Sequence, residues 1–186
     1  MHKIILASQS PRRKQLMEAA ELEFEIIIAD VDETNPPDMR GELVPEFLAK
    51  KKASAIESQV HDAIIIAADT VVLLDHEILG KPTSDENAKE ILGKLSGRTH
   101  QVVTGVCMQK GSKQISFSVV TEVHFRKLTS DQIAHYVSAY KPFDKAGAYA
   151  IQEWIGMIGI ERIVGDYYNV MGLPIGEVVL ALEQFD

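Results

Sequence analysis

Ala63-Ile64-Ile65-Ile66-Ala67-Ala68-Asp69-Thr70-Val71-Val72-Leu73-Leu74 is the stretch on which the fold turns. Its first six residues form the longest unbroken apolar run of the chain. A run this short and this rich in isoleucine reads as a buried strand, and it falls far short of a membrane span. Thr70 to Leu74 continues extended, which sets the Asp69 carboxylate at the end of the buried run. Open α/β sheets place their ligands at such ends. Ionised, Asp69 can hold a divalent metal or take a proton from water; it can equally cap a turn.

Upstream, Lys3 to Ala7 reads as a short strand, and Ser8-Gln9-Ser10-Pro11-Arg12-Arg13 opens a helix to about Ala20. Ser10 suits the cap and Pro11 the first helical position. Phe24 to Ala29 reads as a second strand. Asp30 to Glu46 is irregular, broken by Pro36, Pro37, Gly41 and Pro45, and carries six acids against Arg40 alone. A helix follows from Pro45 to about Gln59. Downstream, Asp75-His76-Glu77 reads as a turn, and Ser84 caps a helix ending near Leu95. Gln101 to Gln109 and Gln114 to Phe125 form a hairpin through Lys110-Gly111-Ser112-Lys113. Ser130 is expected to cap a helix to about Tyr140. Phe143 to Gly172 reads as glycine-rich with short strands, and Pro174 to Phe185 as a terminal helix. Alternating elements followed by an antiparallel hairpin predict a mixed α/β fold, with residues 1–186 as a single domain.

Composition narrows the function. The 186 residues are 46 % hydrophobic and 25 % charged, an ordinary globular balance. A formal charge of −8 argues against binding duplex nucleic acid, although a local basic pocket for a small anion is compatible with it. The one cysteine, Cys107, excludes an internal disulfide and reads as a core residue. The six histidines lack ligand spacing. Met-His-Lys followed by Ile-Ile-Leu-Ala is too short in its apolar part to read as a signal peptide, and the expected setting is cytoplasmic.

Several constellations can carry chemistry. Ser8, Ser10, Arg12 and Arg13 meet at a helix N-terminus, where backbone N–H groups and guanidiniums bind anions; a capped surface helix with solvated arginines has the same pattern. Glu33 is either a second carboxylate for a hard cation or a solvated loop residue. Of Lys50, Lys51 and Lys52, one or two at most can face a cleft, because each helical step turns about 100°. Lys81 sits between Gly80 and Pro82, fixed for a phosphate or merely for a turn. Asp144-Lys145-Ala146-Gly147-Ala148-Tyr149-Ala150-Ile151-Gln152 combines a charged pair, small residues and an amide. Gln152 can read a base edge or be a satisfied core side chain. Walker, Rossmann, zincin and nucleophile-elbow patterns are absent from the sequence.

Read in order, Ser8-x-Ser10-Pro11-Arg12-Arg13, Val31-Asp32-Glu33, Leu48-Ala49-x-x-Lys52-Ala53, Ala68-Asp69-Thr70-Val71-Val72, Gly80-Lys81-Pro82, Leu95-Ser96-Gly97-Arg98-Thr99-His100, Asp144-Lys145-Ala146-Gly147-Ala148-Tyr149 and Gly172-Leu173-Pro174 span nearly the whole chain. This set resembles the Maf family of nucleoside triphosphate pyrophosphatases, once described as septum-formation inhibitors. The resemblance implies a mixed twisted sheet with flanking helices, with two lobes around a cleft as in the inosine triphosphate pyrophosphatases. It implies hydrolysis of a nucleoside triphosphate to monophosphate and pyrophosphate with Mg²⁺ or Mn²⁺, and a homodimer. It makes Asp69 the proton acceptor, Glu33 and Asp69 the metal carboxylates, and Ser8, Arg13, Lys52 and Lys81 the phosphate clamp. Arg12, Thr70 and Gln152 match the branch acting on dTTP and UTP. Gln9 and Glu153-Trp154 depart from the commoner pattern. The alternative is a nucleotide-binding regulator of cell division with weak or no hydrolysis.

Overall fold

A computed structural model describes residues 2–185. Its frame is a seven-stranded mixed sheet of order β2-β1-β3-β5-β6-β7, with β4 also paired to β3. The strands are β1 (Lys3–Leu6), β2 (Glu25–Ile26), β3 (Ala63–Leu74), β4 (Glu77–Leu79), β5 (Thr99–Lys110), β6 (Lys113–Phe125) and β7 (Ile160–Val164). β1 lies parallel to both β2 and β3, and every other pairing is antiparallel.

β3 runs without a break through Asp69, so this carboxylate stands inside a twelve-residue strand and not at its end. On one edge β3 pairs with β5 from Ile65 to Leu73. On the other edge β1 covers only Ala63–Ile66, and β4 covers only Val72–Leu74. Ala67 to Val71 are left between them without a strand partner on that side. The sheet therefore has a notch, and Asp69 is at its centre.

The two faces of β3 follow its period of two. Ile64, Ile66, Ala68, Val72 and Leu74 join the main core with helices α1 (Pro11–Ala19), α3 (Asp85–Leu95), α4 (Ser130–Tyr140), α5 (Trp154–Gly159), α6 (Tyr167–Met171) and α7 (Ile175–Leu182). Ala63, Ile65 and Ala67 form a small second cluster, and Val71 and Leu73 a third, both against α2 (Val44–Ile56). By parity Asp69 falls on the α2 face, in the seam between these two clusters. Gly105 is its register partner on β5. A Cβ on Gly105 would lie 2.1 Å from the Glu46 backbone nitrogen, so glycine is what lets α2 sit against the sheet here.

Four expectations need correction. The second strand shrinks from Phe24–Ala29 to Glu25–Ile26, which pair with Ile5 and Leu6; β1 ends at Leu6, so the residues after Ile26 have no strand to extend along. Thr129, not Ser130, caps α4 in a reciprocal capping box with Gln132. Asp75-His76-Glu77 is a turn only in its first two residues, since Glu77 already begins β4. The stretch from Phe143 to Gly172 contains one strand, β7, the rest being turns and short helices. There Gly147 takes φ 69° with its Cβ position 2.9 Å from Val72, a site only glycine fills without strain.

Candidate active site

A cleft of about 340 Å³ opens over the notch. Ser8, Arg12, Arg13, Glu33, Lys52, Asp69, Thr70, Lys81 and Gln152 all line it, so the residues singled out in the sequence meet in one place.

At its floor the buried Lys52 ammonium donates to Asp69 Oδ1 at 2.6 Å and pairs with Glu33 Oε1 at 2.8 Å. Lys52 projects from α2 into the seam where Asp69 stands. Its neighbours turn elsewhere: Lys50 pairs with Glu46, and Lys51 donates to the Asp32 carbonyl. The hydrogen bond from Lys52 holds the Glu33 carboxyl below the usual carboxylate range, with Lys81 and Arg13 acting in the same direction. Asp32 turns instead to Thr34. Asp69 Oδ2 has no hydrogen-bond partner among the described residues, which leaves a carboxylate oxygen for a ligand.

Arg13 behaves differently from a solvated helix arginine. It is buried, and its Nε donates to Gly172 O at 2.8 Å. Nη1 donates to Ala68 O at 2.7 Å and to Ser8 Oγ at 3.3 Å, and Nη2 donates to Thr70 Oγ1 at 3.1 Å. Four of the five N–H groups of a guanidinium are thus spent on the protein. Ala68 O is a carbonyl of the notch, so Arg13 does for β3 part of what a neighbouring strand would have done. A bidentate fork onto phosphate is not available from this arrangement, although the positive charge remains beside the cleft. Ser8 Oγ accepts from Ser10 N at 3.1 Å as well as from Arg13, so its own O–H is free to donate.

Thr70 is tied into the same network. Its Oγ1 lies 2.9 Å from Thr104 Oγ1 and 3.4 Å from Gly172 O, and Thr104 Oγ1 lies 3.1 Å from Asn169 O, so the two hydroxyls share a hydrogen-bonded chain between two carbonyls. Lys81 is exposed at the cleft, its loop anchored by Gly147 N donating to Gly80 O at 3.1 Å.

The cleft carries a further charge cluster that the sequence suggested only as a pair. Arg12 Nη1 donates to Asp144 Oδ2 at 2.8 Å, across 132 residues of chain. Lys145 Nζ donates to Asp144 Oδ1 at 2.8 Å and lies 3.4 Å from Glu153 Oε1. Burial works against ionisation of Asp144, yet the bonds from Lys145 and Arg12 hold its carboxyl down to about 2. Tyr136 donates to Glu153 and accepts from Ala150 N at 3.2 Å. Lys145 and Glu153 were not assigned roles from the sequence. Lys145 adjoins Asp144 in a quoted motif, but its burial was invisible there.

Comparison with known proteins finds close relatives over nearly the whole chain. A protein of Phocaeicola vulgatus named dTTP/UTP pyrophosphatase is 47 % identical over 185 residues, covering 98 % of this chain and 96 % of that protein. One of Bacillus cereus with the same name is 47 % identical over 186 residues, covering 100 % and 97 %. Among solved structures, the Ham1 protein of Staphylococcus aureus superposes with a TM-score of 0.57 at 19 % identity, over 99 % of this chain and 100 % of its own, which establishes a shared fold. The family described as Maf-like protein matches residues 3–185. From its notch-centred cleft to its last helix, the chain belongs to the Maf-like protein family.

Proposed function

We propose that the protein hydrolyses dTTP and UTP to the nucleoside monophosphate and pyrophosphate, with Asp69 accepting the proton of the attacking water. The observation that carries this reading is the Lys52 ammonium held between Asp69 and Glu33 on the floor of a cleft rimmed by further cations. The relatives named dTTP/UTP pyrophosphatase support the substrate class.

Lys52, Lys81 and the charge of Arg13 draw the triphosphate to the floor, and the Ser8 hydroxyl and the N-terminal turn of α1 add donors. Phosphoryl transfer needs positioning and charge stabilisation more than covalent help, and these groups supply both. Asp69 Oδ2 is the free carboxylate oxygen, while the bond from Lys52 to Oδ1 fixes the orientation of the group. The two carboxylates converging on one ammonium also suit Mg²⁺ or Mn²⁺, since a hard cation takes one or two carboxylates together with phosphate oxygens and water. Glu33 and Asp69 would hold it, and when bound it supplies charge neutralisation on the phosphoryl oxygens. Arg12, Thr70 and Gln152 face the base and decide which nucleotide fits.

Product analysis with a panel of triphosphates, with and without the metals, tests the reading. Metal-dependent release of monophosphate and pyrophosphate from dTTP and UTP is the expected result. Asp69→Asn should fold normally, because Lys52 keeps Glu33 as its partner, and should lose at least ~100-fold in kcat. Near-normal turnover in a folded Asp69→Asn protein removes Asp69 from the mechanism. Tight nucleotide binding without turnover under any metal identifies a nucleotide-binding regulator instead.

A further inference from the structure

Lys145 is a buried lysine whose surroundings the reaction at Asp69 does not use. Its side chain is 10 % exposed, and the residue lines the cleft in the segment that ends at Gln152. One N–H goes to Asp144, a second is turned toward Glu153, and a third has no acceptor among the described residues. Asp144 is held by Arg12, and Glu153 accepts from Tyr136, so both carboxylates beside Lys145 are themselves fixed.

Two charge groups line the cleft. At the floor, Lys52, Lys81 and Arg13 outnumber Asp69 and Glu33, a balance suited to phosphate. Around Lys145, the cations Arg12 and Lys145 are matched by Asp144 and Glu153. An ammonium flanked by two carboxylates repels phosphate as much as it attracts it, but it remains a strong donor to a neutral carbonyl oxygen. An ammonium has no acceptor to offer, so it discriminates between a carbonyl and an amino group at the same ring position.

We propose that Lys145 reads the nucleobase by donating a hydrogen bond to the 4-carbonyl oxygen of a pyrimidine, with Asp144 and Glu153 as its positioning partners. This rests on the pyrimidine triphosphate reading above. Cytosine turns its 4-amino group toward the same ammonium, leaving two donors face to face. Specificity then comes from a clash built against the wrong base as well as from a bond to the right one.

The test compares kcat/KM for UTP, CTP and the triphosphate of pyrimidin-2-one riboside, which lacks the 4-oxygen. The wild-type protein should use CTP and the pyrimidinone nucleotide roughly 10- to 100-fold less well than UTP. In Lys145→Met, UTP should lose far more than the other two, so that the three values converge. A Lys145→Met protein that keeps the wild-type UTP-to-CTP ratio overturns the assignment, as does wild-type protein that uses the pyrimidinone nucleotide as well as UTP. The second comparison needs no variant, so it can overturn the assignment even if Lys145→Met does not fold. Lys145→Gln, which keeps an N–H donor of similar length, should retain part of the UTP preference that Lys145→Met loses, and equal loss in both overturns the assignment. Failure to release pyrophosphate from any triphosphate overturns the pyrophosphatase reading and this assignment with it, whereas release with unchanged base ratios overturns the assignment alone.

Discussion

His100 places a titratable ring where water does not reach. Its Nε2 lies 2.7 Å from Tyr149 Oη, Phe125 and Tyr149 pack edge-on against it, and Nδ1 has no partner among the described residues. An imidazolium here would strand a charged N–H, and burial accordingly pushes the pKa from 6.5 down to about 3, with His124 adding a little. The unfolded chain therefore binds one more proton than the native state between these two values. Stability from this residue is complete above pH 6.5 and is lost as pH falls toward 3, by up to ~1.4 kcal/mol per unit. Urea unfolding between pH 7 and 4 should show a shallower pH slope for His100→Gln than for wild type; parallel slopes would refute the argument. At this scale the sequence revealed identity but not surroundings. Asp69 was legible as a candidate because it is a lone carboxylate closing an apolar run. Glu33 and Lys52 stood out only through the family resemblance, since a carboxylate in an acidic loop and one lysine among three in a row look like solvated residues. The engagement of Arg13 with Gly172 O and Ala68 O was not legible, because those acceptors are 159 and 55 residues away.

Among the elements, α2 is the one on which the site depends. It brings Lys52 to Asp69 only because β5 offers Gly105 at the point of contact, where an added Cβ would meet the Glu46 and Pro45 backbone within 2.4 Å. Backbone cannot rotate out of the way as a side chain can. Gly105→Ala should therefore cost at least ~2 kcal/mol of stability, measured by denaturant unfolding, and should reduce turnover by displacing Lys52. Wild-type stability and rate in this variant would mean that α2 adjusts freely. Helix and hairpin signals were read well because they are local: Ser10 and Ser84 cap their helices, and Lys110 pairs with Lys113 across the turn. Strand lengths were read poorly. Ile26 and Ile28 look like core, yet both are exposed, since only a partner strand decides how far a strand extends.

Taken whole, the molecule converts an acidic chain into a site with a cationic floor by gathering a few dispersed lysines and arginines over the notch. No helix among the described residues is long and apolar enough to cross a membrane. Ligand binding should be visible as global stabilisation. The α,β-methylene analogue of UTP, which resists cleavage at the reacting bond, should with Mg²⁺ add about 2.7 kcal/mol at a hundred times its Kd. Thermal unfolding with and without the analogue measures this, and Lys52→Met should abolish most of the effect. A wild-type protein unmoved by any triphosphate analogue would argue against nucleotide binding at the cleft.

The sequence by itself determined the class of the fold, the helix starts, the hairpin and the inventory of groups able to handle phosphate, because these depend on periodicity and on neighbours within a few residues. Tertiary structure alone decided that β3 passes through Asp69 unbroken, that β1 and β4 stop short and leave the notch, that Arg13 serves the backbone and that Lys145 is buried between two carboxylates. The β1 edge and the bonds of Arg13 depend on contacts between residues tens of positions apart. Lys145 meets Asp144 and Glu153 within eight positions, but its burial is a property of the packed chain and not of any local stretch.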